Sequence, residues 1–309
     1  MANIIFKPSL VKYDPDVEPA RVGFDADGPW QMVPHNDNRY LHLKVIGTKS
    51  WSLESLNDSI AAVEEVTRAG LDRVDHNVYA IRGVSPGQTA LVAKGPKGEP
   101  LGRIEIVVKK LLKKSIRFFF VSDKAGHKTT FTDKDTREWT KFINEKVFQP
   151  QINVQFEYVS SEPIKLDQDL GDRIDFAAIG DMPYVKREGK AGETWHRIVD
   201  AGKIKSDVFN VFCVWDFVNH SNEGPENVAF VAARERLTHE QMAKSGVNYN
   251  VCMFRQKASE EWYFKYMLAH EAGHYLNRMP THTTGDDQLM TLGTAGTSLN
   301  KADAARMNP

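Results

Sequence analysis

The spacing of apolar residues changes near residue 110, and this change constrains the fold of the chain more than any other feature. From about residue 40 to residue 110, runs with alternating apolar residues are separated by turn residues, as in VYAIRGVSPGQTALVAKGPKGEPLGRIEIVVKK. Runs of period two joined by Ser-Pro-Gly and Gly-Pro-Lys-Gly turns are typical of β-hairpins. From residue 116 onwards, apolar residues also recur at helical spacing. We therefore expect two domains of different class.

The predicted boundary lies at residues 109–114, KKLLKK. The chain of 309 residues is long enough for two domains, because single hydrophobic cores stop growing at about 250–300 residues. We place a β-rich domain with an N-terminal extension at residues 1–112 and an α+β domain at residues 115–309. The few lysines between them favour a solvated linker over a membrane or nucleic-acid surface.

The first domain is predicted to be an all-β sandwich. Its hairpins and its last run, IEIVV, resemble the C-terminal half of a bacterial immunoglobulin-like repeat. This resemblance implies an immunoglobulin-like (Ig-like) sandwich without a catalytic motif. Residues 55–70, SLNDSIAAVEEVTRAG, fit either a short helix or a strand followed by a loop, and the sequence leaves both open.

The second domain is predicted to begin with a strand, a helix and a second strand. The predicted strands are 116–123, 152–161, 207–217, 227–236 and 248–256, and the helix between the first two is 133–148. A long polar insertion is expected at residues 162–206. Another helix follows the last strand, with Ser259 as its expected N-cap.

The composition excludes several classes of function. A net charge of -1 supplies no global field for nucleic acid or an anionic membrane, so we expect no nucleic-acid partner. The sequence lacks the run of roughly 20 apolar residues that a membrane span needs, and its first residues do not form a signal peptide. We therefore expect no membrane span. Cys213 and Cys252 lie in apolar runs, which favours buried thiols over a disulfide.

The helix predicted after the last strand carries the motif HExxH at residues 270–274, within YFKYMLAHEAGHYLN. Positions i and i+4 lie on one face of a helix, so His270 and His274 can direct two imidazoles at one metal ion. Glu271 is then turned towards a water molecule on that ion and can act as its base. Catalytic zinc takes three protein ligands and a water whose pKa falls to about 7. The motif therefore predicts one catalytic Zn²⁺ ion and requires a third ligand.

The chain must reverse after this helix. Asn277 stands where a left-handed residue is needed to end the helix, and asparagine is the usual substitute for glycine there. Pro280 prevents the helix from continuing. The next candidate ligand along the chain is His282.

The order of the elements and the HExxH motif together resemble the metzincin clan of zinc metallopeptidases. In that clan the pattern HExxHxxGxxH, or the same with Asp as third ligand, is followed by a methionine in a tight turn beneath the metal. The resemblance covers residues 115–309 and implies an α+β peptidase domain with a five-stranded mixed sheet. It implies that His270 and His274 bind zinc, that Glu271 is the general base, and that Met290 in DDQLMTLG is the turn methionine.

Two positions depart from the family pattern. Asn277 replaces the glycine, and Pro280, which cannot be a ligand, occupies the third-ligand position. A loop that is two residues longer would bring His282 to the metal, and His282 is the third ligand we expect. The alternative third ligand is Asp286 or Asp287.

The same resemblance implies roles for one strand and for the C-terminal tail. The strand predicted at 227–236 would be the sheet edge that lines the cleft and pairs with an extended peptide. The tail SLNKADAARMN would form the helix that follows the methionine turn.

Three interpretations of function are compatible with these residues. The first is a zinc endopeptidase that acts on protein or peptide substrates, in which Glu271 takes a proton from zinc-bound water and returns it to the leaving amine. The second is a zinc amidase that acts on cell-wall peptide and shares every residue named. The third is a non-enzymatic binding protein in which the helix only packs, and it predicts no stoichiometric metal.

The expected location follows from the first interpretation. A peptidase that is active as made would endanger its own cytosol. We therefore expect an exported bacterial effector or toxin, secreted without a signal peptide by a machine such as a type VI or phage-tail-like system. Its additional partners would be that secretion machine or an immunity protein. A cytoplasmic protease is the alternative.

Overall fold

The computed structural model describes residues 3–9, 24–25, 28–48, 50–66, 77–176, 190–205, 207–219, 229–232, 250–256, 264–278, 289–290 and 296–309. The protein is an α+β protein that contains more strand than helix and several separate sheets. It divides into two compact units. Unit 1 comprises residues 1–112, 147–155 and 298–309, and unit 2 comprises residues 113–146 and 156–297. Unit 1 therefore includes two later stretches of chain besides the predicted domain of residues 1–112.

Unit 1 is built from two β-sheets. Its strands are β1 (Asn3–Ser9), β2 (Phe24–Asp25), β3 (Gly28–Pro34), β4 (Asn38–Ile46), β5 (Ser52–Ser55), β6 (Ala61–Glu65), β7 (Asn77–Gly83), β8 (Gly87–Lys94) and β9 (Pro100–Lys109). One sheet has the order β1-β4-β7-β6 and the other has the order β2-β3-β9-β8-β5. The first sheet is antiparallel, whereas β3 pairs with β9 in parallel in the second.

The two sheets of unit 1 share one apolar core. Leu41, Leu43 and Ile81 of the first sheet belong to the same buried cluster as Ile104 and Ile106 of the second. Apolar residues at every second position of these strands reach this core because side chains alternate between the two faces of a strand. The expected β-rich sandwich is thus present, while its immunoglobulin-like character stays a prediction.

Residues 55–66 resolve an alternative that the sequence left open. They contain the strand β6 and no helix, while residues 67–70 of the same segment lie outside the described part of the chain. Ala61 of this strand is fully buried in the core of unit 1.

The lysine-rich stretch at residues 109–114 is exposed at Lys110, Leu111 and Lys113 but not at Lys109. Strand β9 ends at Lys109 and the next strand begins at Leu112, so residues 110–111 are all that separate them. The side chain of Lys109 is buried, and its Nζ donates a hydrogen bond to the carbonyl oxygen of Asn308. Burial lowers the pKa of Lys109. The linker prediction is wrong for Lys109 because its amine is held inside unit 1.

The elements that follow β9 include both strands and helices. They are β10 (Leu112–Ser122), α1 (Asp133–Phe142), a π-helical continuation (Ile143–Phe148), α2 (Gln149–Ile152), β11 (Val154–Lys165), β12 (Ile174–Phe176), α3 (Lys190–Ala201), β13 (Val208–Val214), β14 (Phe217–Asn219), β15 (Ala229–Ala232), β16 (Val251–Arg255), α4 (Phe264–Asn277) and α5 (Lys301–Met307). Each strand and helix that the sequence predicts here is present with shifted ends. Helix α3 and strand β12 lie within residues 162–206, which were predicted to be a polar insertion only.

The central sheet of unit 2 has five strands in the order β11-β10-β13-β16-β15. Strand β13 is parallel to both β10 and β16, and β15 is antiparallel to β16. Among the described residues, the expected five-stranded mixed sheet is therefore present, with β15 at one edge of it. In the described part of the chain, no helix is long and apolar enough to cross a membrane.

Both faces of this sheet are covered by helices. On one face, Phe212 of β13 stacks on Phe119 with ring centroids 4.6 Å apart, in a buried cluster that includes Ile198 of α3. On the other face, Phe209 of β13 stacks on Tyr275 of α4 with centroids 5.0 Å apart. Every side chain of β13 is buried, as expected for a strand covered on both faces. The sheet thereby positions α4, the helix that carries HExxH.

Candidate metal centre

Helix α4 is buried almost all round. Within Phe264–Asn277, only Lys265 and Tyr266 are not fully buried. His270, Glu271 and His274 are each at most 6% exposed. Burial of three such polar side chains on one helix is costly unless each one has a partner. Their positions therefore require a chemical role or a set of specific contacts.

The helix ends one residue later than the sequence predicts. Asn277 is its last helical residue, and Arg278 adopts the left-handed conformation with φ 55°. The backbone amide of Arg278 donates to the carbonyl oxygen of His274 over 2.9 Å. The prediction that Asn277 is the left-handed residue is wrong, because Asn277 is buried within the last turn and the chain reverses only after it.

The two histidines of the motif face each other, as their i, i+4 spacing predicts. The Nε2 atoms of His270 and His274 are 3.1 Å apart, and the two rings are nearly perpendicular. Two imidazole nitrogens bound to one zinc ion at 2.0–2.1 Å with tetrahedral angles would be about 3.3 Å apart. The observed separation therefore suits two ligands of one small cation. It also suits a hydrogen bond that His274 donates when no cation is bound.

The backbone at residue 289 sets the tautomer of His270. Nδ1 of His270 lies 2.7 Å from the carbonyl oxygen of Leu289. A carbonyl oxygen can only accept, so Nδ1 carries the hydrogen and Nε2 of the neutral ring carries the lone pair. Histidine ligands of metals almost always donate their second ring N–H to a carboxylate, a carbonyl or water. His270 is thus prepared to ligate through Nε2.

Glu271 lies on the same buried turn of α4. Burial raises the pKa of the Cys252 thiol well above its ordinary value, and the negative charge of Glu271 raises it further. Cys213 and Cys252 are both buried free thiols, which confirms the prediction that they do not form a disulfide.

Met290 directly follows Leu289, whose carbonyl oxygen accepts the hydrogen bond from His270. It lies in a turn with Leu289, and both side chains are about 1% exposed. The described residues therefore place this turn beside the first histidine of the motif. The specific role of Met290 beneath a metal stays a prediction.

The expected third ligands are not among the described residues. His282, Asp286 and Asp287 all fall within residues 279–288, which lie outside the described part of the chain. The assignment of His282, with either aspartate as the alternative, therefore stays a prediction, as does the zinc ion itself. The expected N-cap of α4, Ser259, likewise lies outside the described residues.

One other cluster of potential ligands was not predicted from the sequence. Ligand atoms of Asp123, His127 and Asp169 all lie within 4.8 Å of one another. Asp123 and His127 share a turn after β10, whereas Asp169 belongs to the loop before β12. The signal in the sequence is limited to a histidine four residues after an aspartate at the end of an apolar strand, which is too common to indicate a site.

Comparisons with known proteins add little to this description. No protein-family model matches the sequence, and no curated protein matches it significantly. Two matching solved structures are domains 4 and 5 of the S-layer protein SbsC, at 15% identity and a TM-score of 0.21, and domains 1–6 of the same surface layer protein, at 16% and 0.22. The matches cover 26% and 27% of this chain, and 40% and 12% of those chains. Likenesses with such low TM-scores carry no inference about the fold or function of this protein.

Proposed function

We propose that this protein is a zinc-dependent endopeptidase whose metal is held by His270 and His274, with His282 as third ligand. The observation that carries this proposal is the 3.1 Å separation of the two Nε2 atoms on a buried helix. The Leu289 carbonyl supports it, because that contact leaves the Nε2 lone pair of His270 directed at His274. Two neutral imidazoles and one further ligand form the usual donor set of a catalytic zinc ion.

The chemistry assigned to the chain's own residues is acid and base catalysis by Glu271. A zinc ion held here would polarise a peptide carbonyl and lower the pKa of water. Glu271 would accept a proton from the attacking water and deliver it to the leaving amine, so that one carboxylate serves both steps. Its position directly beside His270 in the sequence, and its burial, suit a base that must act in a site shielded from bulk solvent.

The edge of the central sheet supports a peptide as the substrate. Within the part of the chain that the structure describes, strand β15 is at the end of the strand order and is hydrogen-bonded to β16 on one side. An extended peptide could add to the other edge of such a strand through main-chain hydrogen bonds. Amidase activity on cell-wall peptide would use the same metal and base, so the choice of substrate must be tested directly.

The decisive experiment compares Glu271→Gln with the intact protein in zinc content and in hydrolysis of casein and of a peptide library. We expect about one zinc per chain in both proteins and a loss of activity of about 10²–10⁴-fold or more in the variant. Glu138→Gln is the matched control, because Glu138 is an exposed glutamate on α1 with a side chain 65% exposed. Full activity in Glu271→Gln, or no zinc bound by the intact protein, would overturn the proposal. Hydrolysis of cell-wall peptide alone would favour the amidase.

A further inference from the structure

A second group of ionisable side chains surrounds His127, in the turn that follows β10. Nδ1 of His127 lies 2.8 Å from Oδ2 of Asp123, and Nε2 lies 3.1 Å from Oδ1 of Asp172. Asp169 also faces this ring, with Oδ1 3.9 Å from Nδ1. Asp169 and Asp172 belong to the loop between β11 and β12. The imidazole therefore links two segments that are more than forty residues apart in sequence.

Carboxylate oxygens within hydrogen-bonding distance of both ring nitrogens favour a charged imidazole. A neutral histidine carries hydrogen on one ring nitrogen, so it cannot donate to two carboxylates at once. The carboxyl group of Asp123 accepts the backbone amides of His127 over 2.9 Å and of Leu170 over 3.0 Å. Burial raises the pKa of Asp123, but the hydrogen bonds from His127 and Leu170 outweigh it and the resulting pKa lies below its ordinary value. Asp123 is thus ionised, and Asp172 is almost fully exposed.

The ring of His127 is also covered on one face. It stacks on Trp215, which follows β13, with ring centroids 5.6 Å apart and an interplanar angle of 25°. Trp215 in turn donates from its indole nitrogen to the carbonyl oxygen of Gly171 in the same loop. The charged groups next to Trp215 form ion pairs with one another, because Asp216 pairs with both Arg173 and Arg255. Among the described residues, the charged groups that face His127 are therefore Asp123, Asp169 and Asp172.

We propose that His127 is a proton-dependent latch, which in its charged form holds residues 169–173 of the loop between β11 and β12 against the turn after β10. Loss of the proton removes one of the two carboxylate hydrogen bonds and leaves three negative charges close together. The loop keeps the backbone contact between Lys124 and Gln168, so release is partial and local. This inference is independent of the zinc centre and of the proposed function.

The direction of the pH effect follows from the pKa of His127. The hydrogen bond to Asp123, and after it the contacts with Asp172, raise the pKa of His127 above its ordinary value. A group whose pKa is raised in the folded protein stabilises that fold at pH values below its unfolded pKa. The stabilisation is then lost as the pH rises through the folded pKa. The latch is therefore closed while His127 is protonated, and it opens as the pH rises through the folded pKa of His127, which lies above its ordinary value.

The experiment is an NMR titration of the full-length protein, with His127 assigned by comparison with His127→Gln. Two readouts are measured, the pKa of His127 and the hydrogen exchange of the Leu170 amide, which donates to Asp123. The Leu166 amide is the internal reference, because it donates to the Ser122 carbonyl over 2.8 Å and should not depend on His127. We expect exchange at Leu170 to accelerate relative to Leu166 as His127 loses its proton.

Two variants test the contribution of Asp172 to the latch. Asp172→Asn should lower the pKa of His127 and shift the opening to lower pH, whereas Asp167→Asn, an exposed residue of the same loop, should change neither. A His127 pKa at or below its ordinary value, or parallel exchange at Leu170 and Leu166 across the titration, would overturn the proposal. A shift of the His127 resonances on addition of one equivalent of Zn²⁺ or Ca²⁺ at constant pH would also overturn it, because the cluster would then be a cation site.

Discussion

Nδ1 of His270 and the carbonyl oxygen of Leu289 are 2.7 Å apart, although the two residues are separated by 19 positions in the sequence. This contact joins the HExxH helix to the turn at residues 289–290. It holds the ring in the tautomer that ligates through Nε2 and restricts its rotation. The readiness of the motif to bind metal therefore depends on a backbone group outside the helix.

Packing of the turn at residues 289–290 should consequently affect zinc affinity. Met290 is 1% exposed, so Met290→Ala should leave a cavity and cost about 2–5 kcal/mol of unfolding free energy. It should also weaken zinc binding, because the neighbouring carbonyl loses its fixed position. Met290→Leu conserves volume and should cost less than about 1.5 kcal/mol. Denaturant unfolding and competition with a chelator measure both effects, and equal zinc affinity in the two variants would contradict the expectation.

The first ligand prediction concerns His274. His274→Ala removes a donor that lies 3.1 Å from the Nε2 atom of His270, so zinc affinity and peptidase activity should fall together. The loss of affinity should exceed about 10²-fold, since even outer partners of zinc ligands cost about 10–100-fold. His35→Ala, in unit 1, is the control and should retain both properties. Elemental analysis after dialysis gives the zinc content, and full occupancy in His274→Ala would exclude this residue as a ligand.

The elements that the sequence predicted well are those whose signal is local. Trp139 and Ile143 lie on one side of a helix that indeed spans α1 and its continuation, and β13 follows from an unbroken apolar run. The pairing of His270 with His274 is likewise local, because four residues make about one helical turn. Helix α3 was missed because it lies in a polar stretch, where its buried residues Ile198 and Val199 form too short an apolar pattern.

The contacts that were not predicted depend on the tertiary fold. The carbonyl of Leu289 has no sequence signature, since every residue carries the same group. The cluster around His127 combines a turn after β10 with a loop before β12, so no spacing in the sequence connects Asp123 with Asp172. The left-handed residue at the end of α4 was predicted one position too early. Asn277 is buried and remains helical, against the local preference of asparagine, and Arg278 is the left-handed residue.

The end of α4 provides a prediction about stability alone. Arg278 has φ 55°, a conformation that costs an L-residue with a side chain roughly 1–2 kcal/mol, whereas glycine adopts it freely. Arg278→Gly should therefore raise the unfolding free energy by about 0.5–1 kcal/mol, after the greater freedom of glycine in the unfolded chain is subtracted. Arg278→Ala keeps the strain and is the control. Zinc content should be the same in both variants, and a destabilised Arg278→Gly would show that the arginine side chain stabilises the helix end.

The third ligand can be identified by comparing three single substitutions. His282→Ala, Asp286→Ala and Asp287→Ala each remove one candidate from the segment that follows α4. If His282 completes the site with His270 and His274, only His282→Ala should lower zinc affinity strongly, because deletion of a ligand leaves two protein donors on a metal that takes three in catalytic sites.

The aspartate variants are the matched controls for that comparison, and the result has consequences beyond the identity of one ligand. A carboxylate ligand would carry a negative charge to the metal, whereas a histidine would leave the ion with its full positive charge for polarising the substrate. Chelator competition at fixed pH ranks the three affinities. A ranking in which one aspartate variant loses the metal while His282→Ala keeps it would replace His282 as ligand and leave Glu271 as the base, whereas unchanged affinity in all three would show that the third donor lies elsewhere in the chain.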